Sequence, residues 1–71
     1  MKYLVIVEKT KDGFSAFSPD LPGCVAAGES KAEVEKLMQE SIEFHLDGLS
    51  TEGLEIPEPL SYSTYLDVEA A

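Results

Sequence analysis

Gly13-Phe14-Ser15-Ala16-Phe17-Ser18-Pro19-Asp20-Leu21-Pro22-Gly23-Cys24-Val25 is the stretch on which the fold turns. It contains a strand, a rigid corner and the start of another strand. Pro19 and Pro22 have no backbone N–H, so ladder pairing has to stop between them. Leu21-Pro22-Gly23-Cys24 predicts a type II turn: proline fixes φ at the second position, and glycine accepts positive φ at the third. Asp20 is placed to accept hydrogen bonds from the amides of that turn, and Leu21 is an apolar side chain held in a definite direction by the corner.

Upstream, Tyr3–Glu8 is β-branched and apolar on both faces, as in a strand central to its sheet. Asp12-Gly13 signals a hairpin into Phe14–Ser18, where Phe14 and Ala16 share one side and Ser15 and Phe17 the other. Beyond the corner, Cys24–Gly28 predicts a short third strand, completing an antiparallel meander. Ser30-Lys31-Ala32-Glu33 has the spacing of a capping box and opens a helix from Lys31 to Asp47 or Leu49, closed by Gly48 or Gly53. Val34, Leu37, Met38, Ile42 and Leu49, with Ser41 and His45 between them, line its apolar face; Lys36, Glu40, Glu43 and Asp47 lie opposite. Thr51–Pro59 reads as a loop, held extended by Pro57 and Pro59. Ser61–Glu69 predicts a fourth strand, with Tyr62, Thr64, Leu66 and Val68 on one face. A helix returning along the sheet delivers that strand parallel to the first by a right-handed crossover. The expected fold is therefore α+β, β-β-β-α-β, with one helix packed on one face of the sheet.

The 71 residues are expected to form a single domain, 1–71, whose core barely offsets the entropy of ordering the chain. One cysteine forms no internal disulfide, and no metal-ligand cluster offers a staple. Self-association into a dimer or higher oligomer is the expected extra source of stability. Fourteen acidic residues against five lysines give a net charge of −9. That charge repels phosphate backbones and anionic membrane surfaces and, with no basic cluster to reverse it locally, argues against direct nucleic-acid or membrane binding. It favours a basic protein partner. The apolar run near the N-terminus is too short for a signal peptide or a membrane span, so a cytoplasmic location is expected.

Gly13-Phe14-x-Ala16, then Pro19-Asp20-Leu21-Pro22-Gly23-Cys24, then Gly28, then Ile42-Glu43-x-His45-Leu46-Asp47, then Gly53 and Ile56-Pro57-x-Pro59, together resemble the HicB-like antitoxin family. The resemblance covers nearly the whole chain. It implies a partial RNase H-like fold with strand order 3-2-1-4. It also implies a role, since HicB-type proteins bind and silence HicA toxins, small basic ribonucleases that cut mRNA. Many members carry a further C-terminal DNA-binding domain. The sequence ends at Ala71, just after the expected fourth strand, so no such domain is expected, and autorepression by this chain alone is not expected either.

The candidate sites follow from these readings. A metal-dependent nuclease would need carboxylates such as Glu8, Glu33, Glu40, Glu43 and Asp67 to converge on divalent ions. The helical spacing instead turns Glu40 and Glu43 outward, and no basic residue is placed to hold a phosphate. No catalytic residue, metal ligand or cofactor is assigned. His45 reads as a partly buried histidine bonded to a backbone group, and Cys24 as a small buried apolar residue. Partner contacts are assigned to Asp20, Leu21 and Pro22 of the corner, and the attracting field to Glu40, Glu43 and Asp47 on the helix. Val25, Ala26 and Ala27 form an uncharged open edge suited to self-association or strand addition. The expected activity is thus that of an antitoxin-like protein neutralising a basic HicA-type toxin. The alternatives are the metal-dependent nuclease, or an orphan structural oligomer.

Overall fold

The computed structural model describes residues 1–70. The elements are β1 (Ile6–Lys9), β2 (Phe14–Phe17), β3 (Val25–Gly28) and α1 (Lys31–Thr51). The strands form an antiparallel sheet in the order β1-β2-β3. In register, Val7, Ala16 and Ala26 face each other across the sheet, as do Ile6, Phe17 and Val25. Ala16 is buried and Ala26 packs against it, so this row lies under the helix at β2 and β3, while Val7 at its β1 end stays exposed. The second row is one residue out of phase and lies on the open face, where Ile6, Phe17 and Val25 are exposed.

The corner is a type II turn: the Cys24 amide donates to the Leu21 carbonyl at 3.1 Å, and Gly23 sits at φ +89°. A second turn precedes it, with the Leu21 amide bonded to the Ser18 carbonyl at 3.2 Å. The Ser18 hydroxyl, buried, donates to the Leu4 carbonyl at 2.8 Å and ties the corner to the chain leading into β1. The consecutive turns drive Leu21 inward, where it is 0% exposed and joins Ala16, Cys24, Val34 and Met38 as the core. The expected partner contact through Leu21 is therefore corrected: the corner aims this side chain at α1.

The β1–β2 connection also differs from the expected Asp-Gly hairpin turn. Lys9 pairs with Phe14, leaving a four-residue loop in which the Thr10 amide donates to the Gly13 carbonyl at 2.8 Å and the Gly13 amide to Thr10 Oγ1 at 3.0 Å. Gly13 does not adopt positive φ. It is needed for space: a Cβ there would collide with the Gly28 carbonyl oxygen on β3 and crowd Glu29 Cα. Both obstacles are backbone, so neither moves without distorting the strand end. Gly13→Ala is expected to lower stability by about 1–3 kcal/mol, the usual effect of overpacking, read as a lower urea midpoint with an unchanged slope.

The helix begins as its cap predicts. Ser30 Oγ accepts from the Glu33 amide at 3.1 Å, and the Glu33 carboxylate takes the Glu29 amide at 3.2 Å, one residue before the reciprocal position of a capping box. It ends later than Leu49. Gly48 stays helical, while Gly53 at φ +72° closes a Schellman motif, with the Leu54 amide bonded to the Leu49 carbonyl and the Gly53 amide to that of Ser50. Val34 and Met38 are buried, and Ile42 and Leu46 pack beside them. Leu37 lies at the margin, exposed. The helix packs on β3 and β2 and scarcely reaches β1.

Among the described residues, no fourth strand pairs with the sheet. Residues 54–70 carry neither helix nor strand. The segment is anchored at its root: Tyr3 donates its hydroxyl to the Pro57 carbonyl, and Ser61 donates its amide and its hydroxyl to Asp20 at 3.0 Å each. Beyond Ser61 it leaves the domain. The radius of gyration, 14.3 Å, exceeds the about 13 Å of a compact 100-residue domain, and the longest extent is 51 Å. Strand-like alternation supplies no ladder partner by itself, and the expected neighbour, β1, keeps its outer edge unpaired.

Candidate protein-binding site

The acidic residues of α1 lie where the periodicity places them. Glu40, Glu43 and Asp47 are all exposed. Glu43 accepts from Gln39 Nε2 at 3.2 Å, one turn back, which holds its carboxylate along the helix. Beside Glu40 and Asp47 stands Phe44, 82% exposed, four residues after the first and three before the second. Leu37 is exposed two turns earlier on the same stripe. Nothing in the sequence marks Phe44 as a surface residue, since it repeats Leu37 two turns on, at the margin of the apolar face. The available signal is its spacing from Glu40 and Asp47, which sets a large aromatic at the border between the apolar and the acidic face.

The corner lies beside this half of the helix. Gly23 and Cys24 share a shallow groove of about 370 Å³ with Ser41, Phe44, His45 and Gly48. Pro22 is exposed next to it. Glycine at 48 leaves the helix surface open at the groove, with nothing within reach of an added Cβ. Phe44 and the proline corner thus border one concave surface whose lining includes the carboxylate-bearing Glu52, with Glu40 and Asp47 one turn from Phe44 on the helix. A rigid aromatic in such a setting has the character of an interface anchor: large area, little rotamer entropy to lose, polar rim.

The remaining candidates are dispersed. Asp20 is half-buried and spends its carboxylate oxygens on Ser61 rather than on the turn amides, so its role here is to moor the C-terminal segment. Glu8 is exposed on β1, Asp67 lies on the departing segment, and Glu33 is engaged at the helix cap. Among the described residues, no group of three or more histidine, cysteine or carboxylate side chains is close enough to hold a metal ion. Val25 and Ala27 are exposed along the β3 edge and Ala26 is half-buried under α1. No helix among the described residues is long and apolar enough to cross a membrane.

Fold and surface together define a small acidic α+β domain, with an anionic helix bearing an exposed aromatic and a sheet whose edges are open. Comparison with known proteins gives the class its family. Residues 3–70 match the family described as "HicB_like antitoxin of bacterial toxin-antitoxin system", and the chain belongs to it. It is 33% identical over 67 residues to an uncharacterized 14.9 kDa protein of Haemophilus phage HP1, covering 94% of this chain and 50% of that one. A UPF0150 protein of Thermoplasma acidophilum is 36% identical over 58 residues, covering 80% of this chain and 84% of the relative. The chain thus spans half the length of the phage relative. Among solved structures, a chain of a HicA3 and HicB3 toxin-antitoxin complex superposes with a TM-score of 0.70 at 33% identity, covering 84% of this chain and 70% of that one. The antitoxin HicB3 crystal structure gives 0.68 at 35% identity, covering 80% and 42%.

Proposed function

We propose that this protein is the toxin-binding unit of a HicB-type antitoxin, and that it silences a small basic HicA-type ribonuclease in the cytoplasm by covering its active surface, catalysing nothing itself. The observation that carries this reading is Phe44, standing exposed beside Glu40 and Asp47, next to the Pro22–Gly23 corner. Family membership and the likeness to a chain of a HicA3–HicB3 complex supply its context. In this reading the carboxylates draw a cationic partner in, and the aromatic seats in a pocket on it. Asp20 contributes from behind, keeping the corner and the C-terminal segment in register.

The test is co-expression with a HicA-type toxin. Growth is rescued and the two proteins co-purify, whereas manganese- or magnesium-dependent RNA cleavage by the purified chain alone would overturn the reading. The field has its own signature. Reversing the charges with Glu40→Lys, Glu43→Lys and Asp47→Lys together is expected to slow association by about tenfold or more at low salt, an effect that shrinks as ionic strength rises. Stopped-flow rates at several salt concentrations measure it. An unchanged rate would remove the helix from the encounter.

A further inference from the structure

The departing C-terminal segment poses a physical problem that the single chain leaves open. Tyr62, Thr64, Leu66 and Val68 alternate with Ser63, Asp67 and other residues in the period of a strand with one apolar face. Yet Tyr62 is 84% exposed, Leu66 79%, Val68 83%, and Tyr65 99%. Such a segment in water has neither ladder partners nor an apolar surface to rest on. The same molecule carries the complementary vacancy. The outer edge of β1 is unpaired. Because α1 covers β3 and β2 and scarcely reaches β1, a groove of about 450 Å³ opens between the helix and the segment leading into β1, bordered by Tyr3, Val5, Met38 and Ile42 together with Lys2, Glu35 and Gln39.

We infer that residues 62–68 form their strand on a second copy of this chain, adding to its β1 edge with Tyr62, Leu66 and Val68 turned into the groove beside α1, in a reciprocal exchange. Seven residues of strand span about 23 Å; β1 offers Ile6–Lys9 as ladder edge, and pairing along the whole arm extends it back through Tyr3–Val5. The root of the arm is pinned to its own domain by Asp20–Ser61 and Tyr3–Pro57, which sets where it leaves. The two sheet edges are not equivalent as hosts. On the β3 edge the helix side is already occupied by α1, so an apolar strand face arriving there finds no groove. On β1 it does. Exchange also disposes of an exposed edge that would otherwise template indiscriminate pairing.

Sedimentation equilibrium and hydrogen exchange on the full chain test this. The protein is expected to be a dimer, and the amides of residues 62–68 are expected to lose protection on dilution. Leu66→Pro removes a ladder donor and an apolar contact from each arm, and is expected to raise the dimer dissociation constant about a hundredfold or more. The helical circular dichroism should be retained, since the arm packs on nothing in its own domain. Leu66→Asp with Val68→Asp gives a second route to the same result should proline perturb the chain. A monomer at tens of micromolar would overturn the proposal. So would protection of residues 62–68 that is independent of concentration, which means the arm pairs within its own chain. A dimer indifferent to both variants would place the contact elsewhere, at the β3 edge, and overturn it equally.

Discussion

Leu21→Ala is expected to destabilise this domain by about 2–5 kcal/mol, the range for truncating a wholly buried leucine. In a chain this short, that is a large share of the whole. Leu21 is 0% exposed and lies in the core with Ala16, Cys24, Val34 and Met38. Its neighbours have little freedom to collapse into the space, because the backbone on either side is held by consecutive turns and by Pro19 and Pro22. The cost should therefore fall toward the upper part of the range. Urea denaturation followed by circular dichroism measures it. Leu21→Met, which conserves volume, is the control and should cost less than about 1.5 kcal/mol. If the alanine variant unfolds at the wild-type midpoint, the corner does not plug the core.

Phe44→Ala is expected to have the opposite profile. At 82% exposure the ring contributes little to the folded monomer, so the denaturation midpoint should barely move. Binding to a HicA-type toxin should weaken by about 2 kcal/mol or more, some thirtyfold in the dissociation constant, as expected of an aromatic anchor. The loss should appear chiefly in the dissociation rate, because the surrounding carboxylates still steer the encounter. That separates the two parts of the site: charge reversal at Glu40, Glu43 and Asp47 acts on association and depends on salt, whereas removal of Phe44 acts on residence time and does not. Isothermal titration and surface-bound kinetics distinguish them. Equal affinity of the Phe44→Ala variant would move the contact surface away from this half of α1.

Much of this organisation is legible in the residues themselves, wherever the determining physics is local. The type II turn follows from Leu21-Pro22-Gly23-Cys24 because proline and glycine each restrict or release one backbone angle, and the Gly23 φ of +89° is the direct consequence. The helix start follows from Ser30 and Glu33. The three strands of the meander, their pairing, and the outward position of Glu40, Glu43 and Asp47 follow from periods of two and of 3.6. Where two local signals compete, the residues leave the choice open: Gly48 and Gly53 are both admissible as helix stops, and only the bond from Leu54 to Leu49 selects the second.

What the tertiary structure alone decided is direction and partnership over distance. Nothing near Leu21 in sequence says whether the corner points it at a partner or at α1; that depends on the helix crossing β3 and β2, which buries it. Nothing near Asp20 announces Ser61, 41 residues away. Gly13 is required because the Gly28 carbonyl approaches it across the sheet, a constraint invisible to turn statistics. The segment after Ser61 shows the limit most clearly. Alternation establishes that residues 62–68 can be a strand, since it is a property of the segment. Which edge receives that strand is a property of the surfaces available to it, and those exist only once the sheet and helix have assembled.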